Sequence, residues 1–336
     1  MTRGMAGIAD AIGKTPLISL PRLSDLVGRE ILGKAEFMNP GGSIKDRAAL
    51  GMIEAAAKSG ELKPGGTIVE GTAGNTGIGI AMLARALGYQ ALIVMPDNQS
   101  PEKYDYLRAL GAELVAVPAV PFANQAHFYH TAGRMAQERG GFWANQFENL
   151  ANAESHYRTT GPEVWEQSCG RIDALVLASG TGGTIAGTAR YLREKKANVK
   201  IVLADPLGSG LYEYVKRGEM KSEGSSITEG IGIMRVTANF AQATPDDAIR
   251  VTDDKVVATA HWLVQHEGVF IGSSSALNVW AAARASLDLP RGARVVTILC
   301  DGGARYQSRL FTQKWLEEKK LWPVVSDGAA LFTSPS

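Results

Sequence analysis

Residues 172–196 read IDALVLASGTGGTIAGTARYLREKK. An apolar run, a glycine-rich turn and a helix-length pattern follow one another with no spacer. An apolar run without alternation predicts a strand buried on both faces, as in a parallel sheet covered by helices. A glycine turn that opens a helix leaves backbone N–H groups free to bind an anion. With Thr181 and Thr184 beside Gly180, Gly182 and Gly183, the turn predicts a phosphate cradle rather than a plain tight turn. A dinucleotide is the rival ligand. Gly180 and Gly182 begin G-x-G-x-x-G, and Asp205 ends the next apolar run where a ribose-binding acid belongs. Ile185, however, takes the place of the third glycine, which leaves the rival weak.

The same alternation extends in both directions. GGTIVEG (65–71) precedes a helical pattern over 75–89, and QALIVMP (90–96) precedes one over 100–111 with Ser100 as candidate N-cap. AELVAVP and a helix through NQAHFYHTAGRMAQERG follow. Beyond 196 come VKIVLAD (199–205) and ARVVTILCDGG (293–303), the latter leading into a basic, aromatic helix to Lys320. The expectation is an α/β protein of two domains, each a twisted, mostly parallel sheet covered by helices. They span 1–150 and 151–325, with residues 1–40 a candidate to pack on the other domain and 326–336 a loose tail.

Composition narrows the function. With 35 basic and 34 acidic side chains the net charge is +1, so nothing favours nucleic acid or an anionic membrane. MTRGMAGIADAIGKTPL lacks a signal peptide's apolar core, and no apolar run would span a bilayer. Cys169 and Cys300 are in no metal-ligand spacing, so cytoplasmic residence is expected, with Cys300 a small core residue. The five histidines, His127, His130, His156, His261 and His266, lack zinc spacing and read as structural, His156 and Arg158 bracing the segment after Gln146. Trp143, Trp165 and Trp262 read as core or interface aromatics, and RYQSRLFTQKW as a solvated helix face.

Two further glycine-rich stretches follow from the rule that open α/β sheets bind ligands beyond their strands' carboxyl ends. EGTAGNTG (70–77) mixes glycines with Thr72, Asn75 and Thr76, which fits either a carboxylate nest or a helix cap. NPGGSIKDR (39–47) is not a P-loop, and it sets Lys45 where a helix begins. The positive end of a helix gives a cation nothing, so Lys45 is either a solvated lysine or an amine kept for chemistry.

IGKTPLISL, NPGGSIKDR, EGTAGNTGIGIA, NQFENLANAESHYRTTGPEVWEQ, SGTGGTIAG, TEGIGI and GSSSAL occur here in an order that resembles the pyridoxal-phosphate β-replacement enzymes. These are O-acetylserine sulfhydrylase (cysteine synthase) and the catalytic core of cystathionine β-synthase, of fold type II. The resemblance runs from residue 8 to about 310 and implies pyridoxal 5'-phosphate in the cleft between two α/β domains. It makes Lys45 the Schiff-base lysine and catalytic base, whose pKa burial and the helix end both lower. It places Gly180, Thr181, Gly182, Gly183 and Thr184 on the cofactor phosphate, Asn75 on the ring oxygen and Ser273 opposite the pyridine nitrogen. A neutral hydroxyl there leaves the ring a weaker electron sink, which favours β-elimination. Thr72, Ala73, Gly74, Asn75, Thr76 and Gln146 become the substrate-carboxylate site, and Gly230 lines the mouth. No metal is implied.

Four departures bear on the substrate. Ala73 replaces a serine, Ser275 stands for a glycine, EGIGIMRVTANF diverges after its second glycine, and CDGG replaces Ser-rich sequence, with Asp301 a candidate to reach the pyridine side. The implied reaction is L-cysteine synthesis from O-acetyl-L-serine and sulfide, in a homodimer able to bind serine acetyltransferase. The sequence given carries no haem-bearing or regulatory extension, which favours that activity over cystathionine synthesis. The departures leave open a cystathionine β-synthase, or another β-substituted-alanine synthase using serine or O-phosphoserine or a nitrogen nucleophile. A serine/threonine dehydratase and a non-catalytic partner of serine acetyltransferase stand further off.

Overall fold

A computed structural model of the chain describes residues 7–324 and 327–333. Among the described residues ten strands form two sheets: β1 Leu17–Ser19, β2 Glu30–Ala35, β3 Thr67–Gly71, β4 Gln90–Pro96, β5 Glu113–Val117, β6 Phe142–Trp143, β7 Ala174–Ala178, β8 Lys200–Pro206, β9 Asp247–Val251 and β10 Arg294–Leu299. One sheet has the order β5-β4-β3-β6 and the other β1-β2-β10-β7-β8-β9. Every pairing is parallel except β1 with β2.

Helices on both faces explain the unbroken apolar runs. In β3 and β4, Ile68, Ile93 and Met95 pack with residues of the helices Lys45–Ser59 and Asn75–Leu87, among them Met52, Ile53 and Ile80. Their neighbours Val69, Leu92 and Val94 pack on Ala132 and Ala136 of the helix Phe128–Arg139. The larger sheet repeats the scheme. Val176 and Val202 face the helices Asp253–Glu267 and Ser273–Ser286, while Leu175, Leu177 and Leu203 face Ile185 and Leu192 of the helix Gly183–Lys195. A period-2 backbone between two apolar layers requires an apolar residue at every position. Among the described residues no helix is long and apolar enough to cross a membrane.

Four local expectations need correction. Ser100 stands at the N-cap of Pro101–Ala109, but its hydroxyl makes no cap bond and is buried without a partner. The helix expected over 124–140 is Phe128–Arg139, because His127 Nδ1 accepts from Tyr129 N and starts it late. The basic helix expected to Lys320 breaks into a 3₁₀ turn, Gly303–Tyr306, and a short helix, Gln313–Glu318. Within the tail expected to be loose, Gly328–Thr333 is helical with Leu331 and Phe332 buried, and Trp280 Nε1 donates to the Leu331 carbonyl. Two large apolar side chains anchor it; Ser326 and residues 334–336 lie outside the described residues.

Candidate active site

Lys45 is the first residue of the helix Lys45–Ser59. The preceding loop is tied to the end of β10: Ile44 N donates to the Cys300 carbonyl, and Ser43 bridges Asp301. Burial pushes the Lys45 ammonium below its ordinary range, against the pull of Cys300 and Asp301. A neutral amine is the form able to attack a carbonyl or take a proton.

Two cavities meet at Lys45. The larger, about 380 Å³, is lined by Thr72, Ala73, Gly74, Asn75, Thr76, Gln146, Gly180, Thr181 and Gly230, together with Lys45. The smaller, about 20 Å³, is lined by Lys45, Gly180, Thr181, Gly182 and Thr184. Residues far apart in sequence thus converge on one amine. Gly183 and Ser273 line neither cavity. Ser274 lines the larger cavity, and the Ser273 hydroxyl beside it is buried without a partner. The helix Ser273–Ser286 begins at that point.

The loop 72–76 is braced from behind. Thr76 Oγ1 donates to Gln146 Oε1 at 2.6 Å, and Gln146 Nε2 donates to the Gly71 carbonyl at 3.2 Å. Buried Glu70 accepts from Gln146 N at 3.4 Å. Burial pushes its carboxyl up to about 8, outweighing the N–H donors of Gln146 and Asn145, so it is largely neutral at pH 7. Gly74, at φ 135°, caps the helix Asn75–Leu87. A Cβ there would lie 2.6 Å from Cδ of Lys103, so glycine meets both the conformation and the space.

The other cradle is the N-terminus of the helix Gly183–Lys195, whose first-turn N–H groups have no intrahelical acceptor. Gly182 takes φ 90°, and a Cβ there would meet Phe240 N at 2.4 Å. Thr181 Oγ1 accepts from Asn152 Nδ2 at 3.0 Å, and the Thr181 carbonyl accepts from Thr237 Oγ1 at 2.7 Å. Thr184 Oγ1 pairs with Nε2 of buried His156 at 3.2 Å. Burial holds that imidazole well below its ordinary pKa, hence neutral. N–H donors, two hydroxyls and a lysine amine at one strand end fit a phosphorylated aldehyde. Asp205, the acid of the dinucleotide rival, is fully buried and accepts from Tyr212 N.

Several functional candidates were hidden in the sequence. Cys300, read as core, lines both cavities, and burial pushes its thiol up to about 11. Asp301 does not line either cavity; its Oδ2 accepts from Asn75 Nδ2 and from Tyr306 Oη, both at 2.7 Å. The solvated face expected of RYQSRLFTQKW is overturned by Arg305, which donates to Asn75 Oδ1 at 2.6 Å and to the Gly41 carbonyl. Buried acceptors recruit the guanidinium and break the helix. Arg235 of the divergent EGIGIMRVTANF stands over Phe122, Tyr129 and Phe147 at the mouth and pairs with Glu148. Lys103 makes a buried ion pair with Glu229. The glycine pair 302–303, a poor way to begin a helix, was the one sequence sign that Arg305 leaves a helical path. Among the described residues no group of three or more His, Cys, Asp or Glu side chains could hold a metal ion.

Two largely parallel sheets under helices, with a half-buried lysine between a helix N-terminus and a glycine-rich loop, suit an enzyme of cofactor-assisted chemistry. The chain belongs to the family described as pyridoxal-phosphate dependent enzymes, which it matches over residues 8–301. It is similar to cysteine synthase 1 of Neurospora crassa, 52% identical over 321 residues covering 94% of this chain and 85% of the relative. Cysteine synthase 1 of Emericella nidulans is 50% identical over 321 residues, 94% of this chain and 87% of the relative. A crystal structure of O-ureido-L-serine synthase superposes with TM-score 0.84 at 34% identity, covering 92% of this chain and 95% of that one. The protein is an enzyme, and its cofactor is pyridoxal phosphate.

Proposed function

We propose that the enzyme makes L-cysteine from O-acetyl-L-serine and sulfide by β-replacement. The observation that carries the reading is the position of Lys45, where the cradle and the braced loop meet, in a chain half identical to fungal cysteine synthases. Bound pyridoxal phosphate supplies the electron sink for removal of the α-proton and loss of the β-substituent. Lys45 Nζ anchors the cofactor, takes the substrate's α-proton and returns it at the end. Gly180, Thr181, Gly182 and Thr184 hold the phosphate through N–H and hydroxyl donors, with Gly183 opening the helix behind them. Asn75 donates to the ring oxygen, and Ser273, whose buried hydroxyl has no protein partner, presents a neutral hydroxyl to the ring nitrogen. Thr72, Ala73, Gly74, Asn75 and Thr76, with Gln146, bind the substrate carboxylate. Gly230 sits in the mouth segment, which shields the site from water.

We extend the proposal to a cytoplasmic homodimer of two-domain subunits, divided near residue 150, with serine acetyltransferase as protein partner. A nucleophile other than sulfide is the second reading, favoured by the O-ureido-L-serine that names the neighbour, whose β-carbon carries its substituent through oxygen. The test offers O-acetylserine or serine with sulfide, homocysteine or a nitrogen nucleophile, and measures the amino acid formed. The expected product is cysteine, from O-acetylserine and sulfide. Turnover only with serine and homocysteine overturns the proposal. Borohydride should fix the cofactor to Lys45, and Lys45→Ala should lose both the covalent link and turnover.

A further inference from the structure

The side chain of Asn75 is gripped at both ends. Its nitrogen donates to Asp301 Oδ2 at 2.7 Å, and its oxygen accepts from Arg305 Nη1 at 2.6 Å. A carboxylate only accepts and a guanidinium only donates. A flipped amide would set N–H against N–H and oxygen against carboxylate, losing two charge-assisted bonds at once. Asp301 is itself fixed. It is fully buried, Tyr306 Oη donates to the same oxygen at 2.7 Å, and its backbone N donates to Ser275 Oγ at 3.3 Å. Arg305 is anchored by its other nitrogen on the Gly41 carbonyl, in the loop that leads to Lys45. An amide nitrogen carries two hydrogens. Asp301 takes one, and Asn75 lines the larger cavity.

We propose that Asp301 and Arg305 are positioning residues that lock the Asn75 amide in one orientation, so that its second N–H serves the ring oxygen of pyridoxal phosphate. This rests on the role given to Asn75 above. It accounts for a buried carboxylate in a segment, CDGG, where serines were expected. It also explains why Arg305 leaves a helical path. The network stretches from the loop before Lys45 to the end of β10, so one set of bonds registers the lysine and the amide to the same cofactor.

The test strips the holoenzyme of cofactor and titrates it back with pyridoxal phosphate, reading the dissociation constant and the pH dependence of the visible band. That band reports ionisation of the ring oxygen, which an N–H donor favours. Asn75→Ala should weaken binding about tenfold, the effect of losing a hydrogen bond to a charged group, and move the band's midpoint to higher pH. Asp301→Ala should do the same, and the double variant should be no worse than either alone. Asp301→Asn keeps an acceptor oxygen and should restore most of the wild-type band. Asp301→Ser carries the same expectation as alanine should the alanine variant not fold. If Asn75→Ala changes the band but folded Asp301→Ala or Asp301→Ser does not, or if the effects add, the inference is wrong. If Asn75→Ala itself changes nothing, the role of Asn75 is wrong and the inference falls with it.

Discussion

Cys300 and Cys169 show how far residue type alone can be read. Both are free thiols; Cys169 is exposed and Cys300 lines the cavities beside Lys45. A free cysteine ending an apolar strand is most often core, and nothing in ARVVTILC distinguishes the two cases. Lys45, the loop from Thr72 to Thr76 and the glycine turn at 180–183 stood out in sequence because backbone turns restrict residue type, although residue type alone left their roles open. Cys300 and Arg305 were not, since their places are set by contacts with the far side of the cleft. Burial pushes the Cys300 thiol up to about 11, with Lys45 opposing. At pH 8 only about one thiol in a thousand would then be thiolate, the form that reacts. Iodoacetamide at pH 8 should therefore label Cys169 in the folded enzyme and reach Cys300 only after denaturation. Peptide mapping checks this, and equal labelling of both in the folded state would contradict the protonated thiol.

Three elements meet at a buried charge cluster behind the helix that begins with Lys45. Arg47 bonds Glu36, which follows β2, at 2.8 Å, and Glu163 of the helix Thr160–Gln167 at 2.7 Å. Lys34 of β2 reaches Glu163 at 2.6 Å. Burial would raise the Glu163 carboxyl, but Arg47 and Lys34 outweigh it and hold it at about 2. Burial pushes the Lys34 ammonium below its ordinary range, with Glu163 opposing. Glu163→Gln leaves Lys34 buried without its ion pair and should cost about 3 kcal/mol in denaturant unfolding near pH 7. The folded pKa lies below the ordinary 4.5. The carboxylate's contribution is therefore full above pH 4.5 and lost as pH falls toward 2. The gap between wild type and Glu163→Gln should close over that window; a gap that stays constant would show that the charge is not what matters. None of this cluster was visible in sequence, where Lys34, Glu36 and Arg47 look like ordinary polar residues. The strands β3, β4, β5, β7, β8 and β10 were visible, because coverage on both faces writes an unbroken apolar run that survives without knowledge of partners, whereas β1, β2, β6 and β9 were not read.

At the scale of the molecule, chain order and sheet order disagree most at β2. It lies between β1 and β10, pairing in parallel with a strand some 260 residues later, from Glu30 against Arg294 to Ala35 against Leu299. No local pattern announces such a pairing, which closes a very long loop. The mouth of the cleft is joined in the same long-range way. Lys103, on the side of the smaller sheet, pairs with Glu229 of the mouth segment, with side chains 2% and 7% exposed. Glu229 also takes Arg309 at 2.7 Å, while Ser308 bonds Glu102 and Arg309 bonds the Asn98 carbonyl. Lys103 passes its methylenes against Gly74, so the pair fixes the mouth and the carboxylate loop together. Removing one member of a buried pair strands the other charge, at about 3–5 kcal/mol, whereas removing both charges is far milder. Glu229→Gln should therefore lower the denaturant midpoint and raise KM for the amino-acid substrate, because Lys103 is freed to seek water and disturbs Gly74. Lys103→Met should on its own leave Glu229 with Arg309 and cost less. Combined with Glu229→Gln it should recover most of the lost stability, since no unpaired lysine then remains inside. Additive losses in the double variant would mean that the two side chains act separately, and that the mouth is held by Ser308, Arg309 and the Asn98 loop instead.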